Sequence, residues 1–291
     1  MKKYISILLM LASALVFAQT SANRFFYELT FKPGKESDSL VKEMTILDIT
    51  DKKSLYQDYL MVSQDSLLKV EVELMQKSGS FKDLSKTLKQ PKFSYKIFKN
   101  YPEMDIVYQD QILQDRVSYK EKVSLNWKIL PEKKTIGEYE TQKATVSYGG
   151  RDWTAWFSSA IPFQDGPYKF HGLPGLIVEL VDSQNHYHWQ LKGNKVEPDF
   201  QEKSYSEKLQ EQFGGGKGDV LEVSREKFEK LYEAYRKDPF GSIRTQLSQI
   251  PANAKMPDGT SVAKMMRDQE EMLKKYLNEN NNAIEVSSSK K

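Results

Sequence analysis

The chain has no cysteine among its 291 residues and only three histidines. The missing thiols exclude disulfides, thiolate nucleophiles and Cys-ligated zinc or iron–sulfur centres, so packing alone must hold the fold. Strong charge of one sign is absent too: 43 Lys and Arg stand against 40 Asp and Glu, a net +3. A nearly balanced chain gives no reason to expect a nucleic-acid partner. No nucleophile elbow, zincin motif or paired-acid motif is found. The expectation is therefore a chain with no cofactor and no metal. With 14 Phe, 16 Tyr and 4 Trp there is ample apolar material for one large core, despite a mean hydropathy of −0.63.

The one long apolar run lies at the start. "MKKYISILLMLASALVFAQT" carries Lys2 and Lys3, an apolar stretch from Tyr4 to Phe17 and the small Ala18. This is the pattern of a secretory signal peptide cleaved after Ala18. The stretch is shorter than the ~20 residues of a spanning helix. Removing residues 1–18 takes away two lysines, so the net charge becomes 3 − 2 = +1. No cysteine follows to carry a lipid, so the expected product is periplasmic or secreted, without a transmembrane segment.

The remaining 19–291 read as one β-rich domain with a helical part at about 224–278 and a flexible tail at 279–291. "RFFYELTFKP" and "LVKEMTILDIT" are strand-like and separated by a turn, which gives an opening hairpin. "SLLKVEVELMQKSG" fits a helix ending at Gly79 better than a strand. From Phe93 to Val196 short β-type segments alternate with polar breaks, as in an antiparallel meander. In "VSYGGRDWTAWF", Gly149 and Gly150 suit a primed turn. Trp153, Ala155 and Phe157 then share one strand face, and Thr154 and Trp156 the other. Ser224 can cap a C-terminal helix, and a second helix is expected from Ser261 to about Asn278 with a Met-rich stripe including Met265, Met266 and Met272. "FGGGKGD" lacks the ending of a phosphate loop and reads as a linker.

The chain has 15 Gly and 11 Pro, and in "QDGPYKFHGLPGLIVELVDS" Gly166, Pro167, Gly172, Pro174 and Gly175 fall within ten residues. The chemistry of "LPGL" predicts a type II turn, with Pro174 at the second position and Gly175 at positive φ in the third, flanked by Leu173 and Leu176. The spacings do not match a phosphate cradle, so architecture is the expected role. Beyond it, "LIVELVD" and "HYHWQLK" form a second hairpin. Tyr187, Trp189 and Leu191 share one face of its second strand, and His186, His188 and Gln190 the other.

The stretch "RDWTAWFSSAIPFQDGPYKFHGLPGLIVELVD" resembles the signature of the secreted GLPGLI family, whose six letters stand here as Gly172 to Ile177. The likeness runs from about Trp127 to Leu191 and includes "QKA" at Gln142 to Ala144, Arg151, Ala155–Trp156, Ile161–Pro162 and Gly166 to Phe170. Thr141 stands where the family often has a cysteine. The resemblance brings no assigned activity. It implies kinship with a bowl-shaped accessory domain of some peptide N-glycosidases, and so an antiparallel half-barrel with a concave face and a few packed helices.

Several side chains are candidates for function. Trp153, Trp156, Tyr187 and Trp189 are candidate ligand-lining aromatics, with one alternating set in the core and the other lining the bowl. Arg151, Gly166, Pro167, Gly172, Leu173, Pro174, Gly175, Leu176 and Ile177 form a structural motif. His186 and His188 would need a third ligand, such as Glu179, Asp182 or His171, to hold a metal; an exposed strand face is favoured. Arg151 with Asp152, and Asp165 with Lys169, are expected as loop-fixing ion pairs. The favoured function is a non-enzymatic exported module that binds a small apolar ligand or an envelope partner in its concave face. The alternatives are a component of a secreted hydrolase and a purely structural envelope protein.

Overall fold

Alternating apolar and polar residues build two antiparallel meanders. The computed structural model describes residues 20–286 except 81, 83, 85, 86, 90, 114, 214–219, 257 and 258. The expected signal peptide and the glycine-rich linker at 214–219 lie outside the described residues. The first meander contains β1 (Ala22–Phe31), β2 (Val41–Ile49), β3 (Lys53–Asp58), β4 (Lys96–Asn100), β5 (Asp105–Ile112) and β6 (Asp115–Glu121). The second contains β7 (Lys128–Ile136), β8 (Tyr139–Tyr148), β9 (Arg151–Ser158), β10 (Leu176–Asp182) and β11 (Tyr187–Glu197). Pairing of β1 with β11 joins them into one sheet ordered β6-β5-β4-β3-β2-β1-β11-β10-β9-β8-β7, and the short β12 (Leu221–Glu222) adds in parallel beside β6.

Chain connectivity fixes the curvature of this sheet. Laid flat, eleven strands at ~4.8 Å spacing would separate β6 from β7 by about 48 Å. Only residues 122–127 connect these two strands, and seven Cα steps reach at most about 25 Å. The sheet must therefore curl until its edges approach. The result is the expected mainly β, α+β architecture: a curved, open antiparallel sheet with a concave inner face. Its free edge, β7, carries Lys128, Pro131, Lys133 and Lys134 and a register shift, features that discourage pairing with another strand.

The inner face holds one continuous core. Phe25, Tyr27 and Leu29 of β1, Tyr56 of β3, Ile97 of β4, Trp153 of β9 and Trp189 of β11 all belong to it. Helices cover parts of the sheet. α1 (Leu60–Ser63), α2 (Asp65–Ser78) and α3 (Tyr205–Phe213) lie near the β3–β5 end, where Asp65 accepts the Tyr205 N–H at 2.7 Å. As the periodicity predicts, α2 stops at Gly79. α4 (Arg225–Lys237) is capped by Ser224 as expected, α6 (Val262–Glu279) starts where expected and is capped by Ser261, and a short α5 (Arg244–Leu247) lies between them. Phe228 of α4 packs on Tyr108 and Tyr119. Among the described residues no helix is long and apolar enough to cross a membrane.

The last described residues differ from expectation. The segment 280–286, predicted as a flexible tail, is tied down: Asn282 is 6% exposed and Ile284 6%. Its N–H groups bond to Pro33 O from Asn282 and to Gly149 O from Val286. The reason is visible only in three dimensions, because Pro33 and Gly149 lie more than 100 residues away in sequence.

Candidate functional site: a plugged concave face

The glycine- and proline-rich loop between β9 and β10 occupies the concave face. Ile161, Asp165, Tyr168, Lys169, Phe170 and Leu173 are all buried. Phe170 packs on Trp153 at 4.8 Å and on Tyr148 at 5.4 Å, while Tyr168 lies between Tyr95, just before β4, and Trp189 of β11. The loop thus touches both meanders and fills the space between them. A buried loop must satisfy its own peptide groups. Lys99 of β4 donates to Gly166 O at 2.6 Å and Tyr168 O at 3.1 Å, and Trp127 Nε1–H donates to His171 O at 2.8 Å. Tyr27 OH donates to Ile177 O at 2.7 Å.

The turn within this loop differs in type from expectation. Gly175 does take a positive φ, +150°. Its N–H, however, bonds to Leu173 O at 2.8 Å, and the Leu176 N–H goes instead to Ile161 O. The chain makes a three-residue turn about Pro174, because the Leu176 N–H is drawn into the loop's own pairing. A Cβ on Gly175 would lie 2.2 Å from Ser158 O, and one on Gly166 would lie 2.7 Å from the Ile177 side chain. Both glycines permit close approach of the loop to the strands that carry it.

Two buried ionic groups anchor the plug. Lys99 and Asp165, 0% and 1% exposed, form a direct pair. Tyr101 OH donates to the other Asp165 oxygen at 2.6 Å, and the Gly166 N–H donates to the first at 2.7 Å. Burial pulls the Lys99 ammonium below its ordinary range, and Asp165 works against that shift. Beside them His171 is driven down to about 4, by burial first and the Lys99 charge second. Its Nε2 has no partner among the described residues. The second group centres on Lys169, which donates to Tyr119 OH at 2.9 Å and pairs with Glu121 and Glu285, each at 2.5 Å. Arg225 of α4 closes the circuit by pairing with both acids. Burial raises Glu285, but Lys169, Tyr168 and Arg225 outweigh it and hold the carboxyl below the usual range.

These pairings correct the expected ones. Asp165 pairs with Lys99 rather than Lys169, because the Asp165 side chain reaches β4 while that of Lys169 reaches Tyr119 and Glu121 on β6. Arg151 pairs with Asp182 at 2.8 Å rather than with Asp152. It also donates to the 280–286 segment, at Asn282 Oδ1, Ala283 O and Ile284 O. Asp152 is taken by Ser147 Oγ.

The four candidate aromatics separate. Trp153, Tyr187 and Trp189, at 1%, 3% and 0% exposure, are core residues and line no open bowl. Their polar atoms are bonded internally, as Trp189 Nε1–H to Tyr56 OH at 2.8 Å shows. The plug covers the face they share. Trp156 is half-buried on the opposite, outer face, with the Lys134 ammonium 4.3 Å from its ring centre. Lys134 also pairs with Glu179, which meets His188 Nε2 at 2.9 Å. His188 above all, then Lys134, hold Glu179 at about 2 against the effect of burial. His186 turns to Arg151 instead, 3.3 Å away. Among the described residues no group of three His, Asp or Glu side chains is placed to hold a metal.

The sequence signal for the buried charges was available. Tyr95, Ile97 and Lys99 alternate on one strand face, as do Val117, Tyr119 and Glu121, so a charge at the third position of each belongs with the apolar pair.

Comparison with known proteins adds a limited relationship. A family described as a protein of unknown function, Porph_ging, matches residues 150–179. Solved structures of PNGF-II in two crystal forms are similar at 12% identity with TM-scores of 0.49 and 0.48. They cover 74% and 75% of this chain, which in turn spans only 33% and 34% of theirs. No curated protein matches. The segment similar to the Porph_ging family is thus β9, the plug and the first residues of β10.

Proposed function

We propose that the chain is an exported, non-enzymatic β-module of the GLPGLI type that binds an envelope partner through the outer face around Trp156. The supporting observation is the division of its aromatics: Trp153, Tyr187 and Trp189 are sealed beneath the plug, while Trp156 stands outside it. A small apolar ligand in the concave face would have to displace Ile161, Tyr168, Phe170 and Leu173. Exposing these four would cost roughly 6–12 kcal/mol at about 1.5–3 kcal/mol each. That is of the same order as the whole stability of a domain, so the loop counts as core. The outer face instead offers an aromatic ring beside fixed charges of both signs, a combination suited to a polar partner with one anchoring pocket.

The test is a photo-crosslinking residue in place of Trp156, in the full chain expressed in its own cells, with the same residue at Glu229 on exposed α4 as control. A discrete adduct from position 156 alone is expected. Absence of any adduct would leave a purely structural envelope protein. Export rests on residues 1–18 and is tested by intact mass: a mature chain beginning at Gln19 without an acyl group is expected, and a mass retaining residues 1–18 would overturn it.

A further inference from the structure

Away from the plug, the end of β5 meets α1, α2 and the start of α3 around a cleft of about 200 Å³. Leu60, Met61 and Leu68 give it apolar walls, and Asp65, Asp110 and Glu207 line it as well. The three acids are not equivalent. Glu207 is neutralised by Lys96 and lies near Arg116. Asp110, on β5, is only 6% exposed, and its partners are Ser94 OH at 2.6 Å, the Gln111 N–H at 2.8 Å and Tyr108 OH at 3.3 Å.

Every one of these donors is neutral. The comparably buried Asp48 and Asp182 of the sheet and Asp165 of the plug face Arg24, Arg151 and Lys99 respectively. Asp58 is compensated by three main-chain N–H groups, from Leu60, Lys92 and Phe93. Asp110 has one. Among the described residues neither it nor Asp65 pairs with a lysine or arginine. A buried carboxylate without a cation is unfavourable, and burial accordingly raises Asp110 to about 6 against the pull of Ser94 and Gln111.

We propose that this cleft binds a small alkylammonium ion, with the ammonium between Asp110 and Asp65 and a short carbon chain against Leu60, Met61 and Leu68. A primary ammonium has three donors for acceptors that lack a cation, and its chain matches the apolar walls. Lys89 and Arg116 also line the cleft, but Arg116 is engaged by Glu211 and Glu207, and a bare metal ion would leave the apolar walls unused.

The experiment titrates the full mature chain with n-butylammonium chloride by calorimetry and thermal shift, with n-butanol and sodium chloride as controls. Saturable binding of n-butylammonium is expected, with neither control reproducing it. Asp110→Asn keeps the shape and removes the charge, so it should fold and weaken binding by at least about tenfold, the scale of one charge-assisted hydrogen bond. Leu68→Trp fills the cleft without touching the acids and should abolish binding as well. An equal response to n-butanol, an equal affinity in Asp110→Asn, or no saturable response in the wild type would each overturn the proposal.

Discussion

The two faces of β9 share a backbone and differ in almost everything else. On the inner face Trp153, Ala155 and Phe157 are buried under a loop that approaches its supporting strands closely enough to require glycine at two positions. On the outer face Thr154 and Trp156 remain half-exposed beside Lys134, Glu179 and His188. Tryptophan is used twice within four residues for opposite purposes. The difference comes from what covers each face, since strand alternation only guarantees that the two rings point apart.

This contrast can be broken from its inner side first. Trp153→Ala should remove ~3–5 kcal/mol of stability in chemical denaturation, the range for a large core aromatic. A cost below ~1 kcal/mol would show that the plug does not seal this face. Lys99→Met should cost about as much, ~3–5 kcal/mol, because Asp165 would be left buried without its cation. The double variant Lys99→Met with Asp165→Leu should recover much of that loss, since an apolar pair of similar volume avoids the uncompensated charge. If the double variant is less stable than Lys99→Met alone, Asp165 is held mainly by Tyr101 and the Gly166 N–H.

Why some of this was legible in sequence and some was not follows from the range of the interactions. Gly79, Ser224 and Ser261 act within their own helix turn, so local chemistry predicts the ends of α2, α4 and α6. Alternation in "DWTAWF" and "HYHWQL" is also local and correctly divides both strands. It could not say that the covering element would be the β9–β10 loop, because Lys99, Trp127 and Glu285 that satisfy this loop lie 32 to 110 residues from its ends. The type II turn at Pro174 failed for the same reason. Its predicted hydrogen bond lost to a competing acceptor, Ile161 O, that only the folded loop supplies. The 280–286 segment has the composition of a tail, and it is fixed by Pro33, Gly149, Arg151, Lys169 and Arg225, all distant in sequence.

His171 offers a smaller and pH-dependent test of the inner face. Its folded value of about 4 lies below the ordinary 6.5, so the unfolded chain takes up the proton first as pH falls. The stability contributed by keeping the ring neutral is present above pH ~6.5, declines as pH drops, and is gone below pH ~4, at most ~3 kcal/mol in all. His171→Gln should therefore lose less stability than the wild type between those two pH values. Denaturation curves at several pH values measure the difference, and parallel profiles for the two proteins would place His171 in contact with solvent.

The smallest expected effect is the one that decides what the outer face is for. Trp156 contacts solvent on one side and the Lys134 ammonium on the other, and an exposed cation–π pair is worth only ~0.5–1 kcal/mol. Trp156→Ala should therefore leave the unfolding midpoint nearly unchanged. That is an unusual economy for so large an apolar ring kept where water reaches it. If the loss is instead as large as for Trp153→Ala, the outer face is a second core and has no ring to spare for a partner. If stability is retained and crosslinking through position 156 is lost on Glu179→Gln, the ring and its fixed carboxylate form one surface. Glu179, held at about 2 by His188 and Lys134, stays ionised through mild acid, so partner binding should not change as pH falls toward 5 through its titration. A drop in binding over that range would have to come from the partner.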